Sequence, residues 1–267
     1  MSSKCSLDKR GDSMASSPLL PKHMLLDKAE RLIQMHRAGL LGGETMPEDA
    51  NPHLPSNSAE DCLYFTLPMA LNYQRNSYAL WQSALQTYTD DATRFLFSPQ
   101  QCLERPFTEV QQAITKHKLA LQRQKQTEVW IKLCQTFTDH FGGDIRLLFE
   151  ENNNDVARIK RYLQVENKKA FPYLSGVKIC NYWLYVIHQY TDRQFTNLDA
   201  LTVAPDTHVC QASLKLGLIT ESDFQSPHVQ SVVADAWKQL FEGTSYNPID
   251  IHTPLWLWSR NGFRDII

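Results

Sequence analysis

Phe171-Pro172-Tyr173-Leu174-Ser175-Gly176-Val177-Lys178, followed by Ile179-Cys180-Asn181-Tyr182-Trp183-Leu184, is the stretch on which the fold turns. Pro172 and the Ser175-Gly176 pair interrupt any preceding helix, and a new helix is expected over residues 175–190. Val177, Cys180, Leu184 and Ile187 recur at three- and four-residue spacing, which makes one apolar face. Lys178 falls in the first turn, beside a stripe that carries Tyr182 and Tyr185. A cation is poorly placed there, because the helix macrodipole is positive at this end. The same field, with partial burial, would favour the neutral amine that a nucleophile needs. The plainer reading is a solvent-exposed lysine at a helix start, and position alone favours it.

Downstream, Ala204-Pro205-Asp206-Thr207-His208-Val209 leads into a second apolar helix that ends at Leu216-Gly217-Leu218. Asp206 stands where an N-cap would, able to accept from first-turn amides. Capping is the ordinary role of such an aspartate. It is compatible with a chemical one, since a capped carboxylate is rigid and ionised.

Outward from this pair the pattern is helical almost without pause. Helices are expected over 25–35, 62–73, 78–97, 107–121, 126–141, 155–163, 207–216, 229–242 and 253–261, with Gly and Pro falling between them. Runs of period two are absent, so the chain reads as all-α. Residues 1–22, rich in Ser, Lys, Asp and Pro, are expected as a disordered tail before a helical domain over 23–267. Residues 43–58 carry three prolines and read as a loop.

Composition narrows the function classes. An apolar share of 42% supports a sizeable core in 267 residues. Six cysteines lie scattered at 5, 62, 102, 134, 180 and 210, without a CxxC pair, so no zinc or iron–sulfur site and no other metal or cofactor is expected. Their scatter fits a reducing, intracellular compartment, and no apolar run approaches membrane-spanning length. The chain contains no GxSxG elbow, no GxxxxGK phosphate loop, no GxGxxG and no HExxH. A formal charge of −2 predicts no large non-specific affinity for nucleic acid, although local patches outweigh the sum.

A hairpin entering a helix with Lys178, then Pro205-Asp206 before a helix ending in Gly217-Leu218, resembles the helix-hairpin-helix DNA glycosylase superfamily. The spacing, 206 − 178 = 28 residues, is longer than in the endonuclease III type, whose hairpin reads Leu-Pro-Gly-Val-Gly. The irregular Leu174-Ser175-Gly176-Val177-Lys178 is closer to the archaeal 8-oxoguanine (GO) DNA glycosylase branch. Two more stretches are similar to that branch: Leu71-Asn72 followed by Tyr78-Ala79-Leu80-Trp81, and residues 248–257, Pro-Ile-Asp-Ile-His-Thr-Pro-Leu-Trp-Leu. The similarity runs in order over roughly residues 62–261, in short pieces.

This resemblance implies two helical lobes around a central cleft and a DNA N-glycosylase with AP lyase activity. Lys178 would attack C1′ of the damaged nucleotide and Asp206 would take a proton or stabilise charge on the sugar. Trp81, Trp256, His252 and Pro205 would line the pocket for the extruded base. Plain core packing is the ordinary fate of such tryptophans. The hairpin at Ser175 and Gly176, with Lys168 and Lys169, would hold phosphate through amides and cations. Lys160 with Arg161, and the run Lys116, Lys118, Arg123 and Lys125, add cations that elsewhere are commonly a solvated helix face. The expected partner is damaged DNA, duplex or single-stranded, bound by a monomer, with an oxidised purine among the candidate bases. His252 stands where the branch has a pocket carboxylate, so the base is open. Two other readings stay open: an N-glycosidase acting on a free nucleoside or nucleotide, and a non-enzymatic helical interaction module.

Overall fold

The computed structural model describes residues 20–42 and 46–265. Among the described residues every regular element is helical, and the only extended pairing is an isolated bridge between Asp155 and Thr196. The chain forms two compact units. The larger comprises Gly42–Ala204 with Asn247–Ile249; the smaller comprises Met1–Leu41, Pro205–Tyr246 and Asp250–Ile267.

Helix α1 (Lys22–Arg37) belongs to the smaller unit. It begins inside the stretch expected as a tail, whose residues 1–19 lie outside the described ones. The larger unit then runs through α2 (Ala59–Thr66), α3 (Ser77–Thr89), α4 (Pro99–Leu103), α5 (Phe107–Lys116), α6 (Arg123–Phe141), α7 (Arg146–Glu151), α8 (Val156–Arg161) and α9 (Val177–Tyr190). The smaller unit resumes with α10 (Thr207–Leu216), α11 (Glu221–Phe224), α12 (Val229–Phe241) and α13 (His252–Arg260).

Local chemistry sets the starts and stops. Ser58 caps α2 by accepting from Asp61 N at 3.1 Å, and Asn76 caps α3 by accepting from Ala79 N at 3.0 Å. Helix α6 stops at Gly142, whose φ of +59° is left-handed and cheap only without a side chain. Three expected helices are shorter than their apolar periods, and the 107–121 one stops at Lys116, ahead of a left-handed Lys118 with a φ of +59°. Pro68 ends the 62–73 helix by removing a donor and opens a 3-10 turn, Pro68–Leu71. The 78–97 helix stops at Thr89, because the Asp90 carboxylate accepts from Ala92 N at 3.0 Å and turns the chain into a separate 3-10 segment, Arg94–Phe97. The 155–163 helix passes after Arg161 into a π-helix, Tyr162–Glu166. The short helices α4, α7 and α11 lie outside the expected set, being too brief to show a period.

The core of the larger unit is built on α6 and α9. Trp130, Leu133, Cys134 and Phe137 are buried on α6; Cys180, Trp183, Leu184 and Ile187 are buried on α9. Val177, expected on that apolar face, is instead 75% exposed at the helix tip. Each large buried indole finds an acceptor, which removes the cost of an unmet donor. Trp130 Nε1 donates to Leu96 O, Trp183 Nε1 to Thr66 Oγ1 and Trp81 Nε1 to Glu48 Oε1, each at 3.0 Å. Arg193, only 7% exposed, ties three loops together through Asn57 Oδ1 (3.1 Å), Asn154 Oδ1 (2.8 Å) and Glu150 Oε1 (3.2 Å).

Candidate active site

The hairpin before α9 is closed by its own backbone. Ser175 N donates to Phe171 O at 3.0 Å and Gly176 N to Tyr173 O at 2.9 Å. A Cβ at Gly176 would approach Tyr173 O to 3.0 Å, so this close crossing of the chain explains the glycine. Ser175 is buried and its hydroxyl donates to Lys168 O at 3.2 Å, pinning the turn to the Lys168–Ala170 segment. Its side chain is therefore committed to the hairpin, and the exposed atoms here belong to Gly176 and its neighbours.

Lys178 is exposed rather than partly buried. This is the plainer reading of its position, and it holds because the first turn of α9 projects from the core, with Gly176 and Val177 exposed beside it. Among the described residues no hydrogen bond or ion pair holds the Lys178 side chain, and α9 opens at Gly176 without a side-chain cap. Its first amides thus lack intrahelical partners.

Tyr182, one turn along the same stripe, leads to a group that sequence reasoning missed. The stretch expected as a loop over 43–58 contains a 3-10 turn, Pro47–Asp49, that buries Glu48 to 1% exposure. Residues 43–45 of that stretch lie outside the described ones. Glu48 Oε1 accepts from Trp81 Nε1 and from Tyr182 Oη, both at 3.0 Å. Burial pushes its carboxyl up to about 7, although the bonds from its own backbone, Tyr182 and Trp81 favour the charged form. Trp81 itself is 0% exposed and packs tilted against Tyr64 and Phe65. The only sequence cue to Glu48 was an acidic pair, Glu48-Asp49, among prolines, which normally marks a solvated turn.

Three segments of the larger unit meet around the hairpin. Arg75 Nη1 donates to Leu119 O at 2.7 Å and Nη2 to Lys118 O at 3.2 Å, joining 72–78 to 117–127. Tyr73 packs on Tyr173 with ring centroids 5.7 Å apart, and Lys125 Nζ stands 5.3 Å from the Tyr173 ring, joining both to the hairpin. Segment 72–78 contributes Arg75; 117–127 contributes Lys118, Arg123 and Lys125; 167–178 contributes Lys168, Lys169 and Lys178. None of the three contains an Asp or Glu. In a chain of net charge −2 this is a local cationic surface, bordered by Glu128, whose Oε1 accepts from Gln124 Nε2 at 2.6 Å, and by Glu166, which pairs with Arg161 at 2.9 Å. Lys116, by contrast, is engaged with Asp90 at 2.6 Å, and Lys160 donates to Ala200 O at 2.7 Å.

The smaller unit holds the remaining predicted residues. Asp206 caps α10, its Oδ1 accepting from Val209 N at 2.9 Å, behind a buried Pro205. His208, in the first turn of the same helix, meets Trp256 edge-on at 5.8 Å and contacts Ser259 Oγ through Nδ1 at 3.2 Å. Trp256 is half-buried, with the Arg260 guanidinium 4.9 Å from its ring. His252 is buried at the first position of α13. Lys178 and Asp206 thus belong to different units.

A cavity of about 660 Å³ in the larger unit is lined by Glu60, Arg94, Phe95, Gln100, Arg105 and Glu109 among others, and by none of the residues singled out from the sequence. Its charges pair with one another: Arg94 with Asp91 at 3.2 Å, Arg105 with Glu109 at 2.7 Å, and Glu60 accepting from Tyr88. Mutual pairing leaves little unspent charge for a ligand. Among the described residues no cluster of His, Cys, Asp and Glu could hold a metal ion, and no helix is long and apolar enough to cross a membrane. Compared with known proteins, the chain matches no family model and no curated protein.

Proposed function

We propose that this protein is a DNA N-glycosylase with AP lyase activity and a helix-hairpin-helix glycosylase-like fold. The observation that carries the reading is the exposed, unengaged Lys178 amine at the edge of the cationic surface around the hairpin. Such a surface suits the phosphates of a DNA strand, whose neutralisation supplies most of the affinity of this kind of complex. The resemblance of residues 171–178 and 204–218 to the glycosylase superfamily supplies the chemistry.

In this mechanism the Lys178 nitrogen forms a bond to C1′ of the damaged nucleotide. The N-glycosidic bond breaks, and the base leaves with its electron pair and takes up a proton. Opening of the sugar ring with loss of the amine proton gives a Schiff base. Removal of a proton from C2′ then expels the 3′-phosphate by β-elimination and cuts the strand. Asp206 has the second role, taking a proton or stabilising positive charge on the sugar. Trp256 offers a half-buried aromatic wall for an extruded base, with Pro205 and His252 as its companions in the resemblance. The partner is damaged DNA, and a monomer suffices.

Borohydride reduction in the presence of abasic, oxidised and deaminated DNA tests this reading. A covalent adduct is expected with wild type and none with Lys178→Gln. Absence of any adduct across the panel would overturn the lyase assignment. Release of base from a free nucleoside without DNA binding would instead favour a nucleoside N-glycosidase.

A further inference from the structure

Cations alone would suffice to hold a phosphate backbone, yet the surface beside the hairpin also carries two aromatic rings, Tyr73 exposed and Tyr173 partly buried. Tyr73 is 49% exposed and lies on the loop that follows the Pro68–Leu71 turn. Its ring is tilted 46° against Tyr173, with centroids 5.7 Å apart. Tyr173 has a φ of +60°, a left-handed backbone that an aromatic residue rarely adopts. Such a conformation persists only where the surroundings over-determine it, and it concentrates at functional positions. Here the hairpin bonds from Ser175 N to Phe171 O and from Gly176 N to Tyr173 O hold it. Lys125 Nζ stands 5.3 Å from the centre of the Tyr173 ring, and Arg75 braces the neighbouring loop through Leu119 O and Lys118 O. The two rings are therefore presented in advance, on a surface where Lys118, Arg123 and Lys125 are exposed and outnumber the bordering carboxylate, Glu128.

The class of polymer follows from what each can offer such rings. A paired base in a duplex keeps both faces stacked inside the helix and shows only its edges, whereas an unpaired base has a face free for an aromatic side chain. Cationic side chains interleaved with exposed rings suit a single strand, with bases stacking and phosphates lying over the cations. We infer that Tyr73 and Tyr173 form a stacking platform for an unpaired base of single-stranded DNA, whose phosphates run over Lys125, Arg123 and Lys118. The substrate class is then a lesion in unpaired DNA, a single strand or a bubble, rather than in a perfect duplex. This rests on the DNA reading proposed above for the kind of polymer, and not on the lysine chemistry.

Fluorescence anisotropy with labelled dT20, the dT20·dA20 duplex and rU20 tests the platform on the full chain. Binding of dT20 at least about tenfold tighter than duplex is expected, with a loss of about tenfold for Tyr73→Ala and for Tyr173→Ala, and near-wild-type binding for Tyr73→Phe, which keeps a ring to stack. Tyr73 is half-exposed, so its alanine variant should retain the wild-type melting temperature. Duplex binding as tight as dT20, unchanged dT20 affinity in Tyr73→Ala, or tighter binding of rU20 than of dT20 would each overturn the inference. The outcome separates from the enzymatic reading: tyrosine-dependent dT20 binding without any borohydride adduct keeps the platform and removes the lyase. An adduct with tyrosine-independent binding does the reverse.

Discussion

Helix α9 starts at Gly176 with no side chain reaching its first amides, whereas α10 starts at Asp206, whose carboxylate accepts from Val209 N at 2.9 Å. One N-terminus has its donors answered by a fixed negative charge. The other keeps its donors and the positive end of its dipole open, with Lys178 exposed in the first turn and Lys168 and Lys169 just before the hairpin. A helix end of the first kind has a side chain on one of its donors; one of the second kind leaves them to water or to an anion. The difference teaches that two residues at the starts of successive α-helices are committed differently. Asp206 has a structural task whatever else it does, and Lys178 has none that the described residues reveal.

Breaking this contrast at its open end should have the largest effect. Lys178→Gln is expected to reduce adduct formation on abasic DNA to background in a borohydride assay. The melting temperature should stay unchanged, because the side chain is exposed and holds nothing in the described structure. The capped end can be dissected next. Asn caps as well as Asp but carries no charge, so Asp206→Asn should keep stability while lowering base release by about 10²–10⁴-fold. Asp206→Ala should lose the cap as well, costing about 1 kcal/mol, read from denaturant midpoints. If Asn and Ala variants both release base at the wild-type rate, Asp206 is a cap and nothing more.

Glu48 sharpens the comparison from inside the larger unit, as a carboxyl answered by two hydrogen bonds yet buried. Its folded value of about 7 lies above the ordinary 4.5, so the folded state holds its proton more tightly than the unfolded state does. The advantage of the neutral acid is full below about pH 4.5 and is lost as pH rises through about 7. Glu48→Gln removes that titration. Its stability relative to wild type should therefore climb between these pH values, by up to about 3 kcal/mol, since one pKa unit is about 1.4 kcal/mol. Unfolding measured at pH 4.5, 6 and 7.5 checks it, and parallel curves for the two proteins would refute it. The smallest effect belongs to the hairpin cations. Lys168→Ala and Lys169→Ala should each lower the slope of log affinity against log salt by about 1, without altering base preference.

Much of the architecture was legible. The face of α9 followed from spacing at three and four residues, except at the exposed Val177, and the end of α10 from Gly217, whose φ of +82° needs a glycine. Helix lengths were less so, because apolar periodicity runs on through Pro68 and Asp90 while backbone hydrogen bonding does not. Glu48 was illegible for a different reason. Its burial depends on Trp81 and Tyr182, 33 and 134 residues away in sequence, and no local pattern encodes such partners. Tyr73 carried no signal either, since a lone aromatic before a turn reads as filler until Tyr173 is placed beside it.

The sequence by itself determined that the described chain is helical, where about half of its helices lie, and that Lys178 and Asp206 each stand at a helix start. These follow from local propensity, capping and period, which act within a turn or two of the chain. Only the tertiary structure decided that Lys178 is exposed, that Glu48 is buried, and that three separate basic segments meet around the hairpin. Those are matters of burial and convergence across a hundred residues, set by how the core packs and by contacts such as Arg75 to Leu119 that join distant loops.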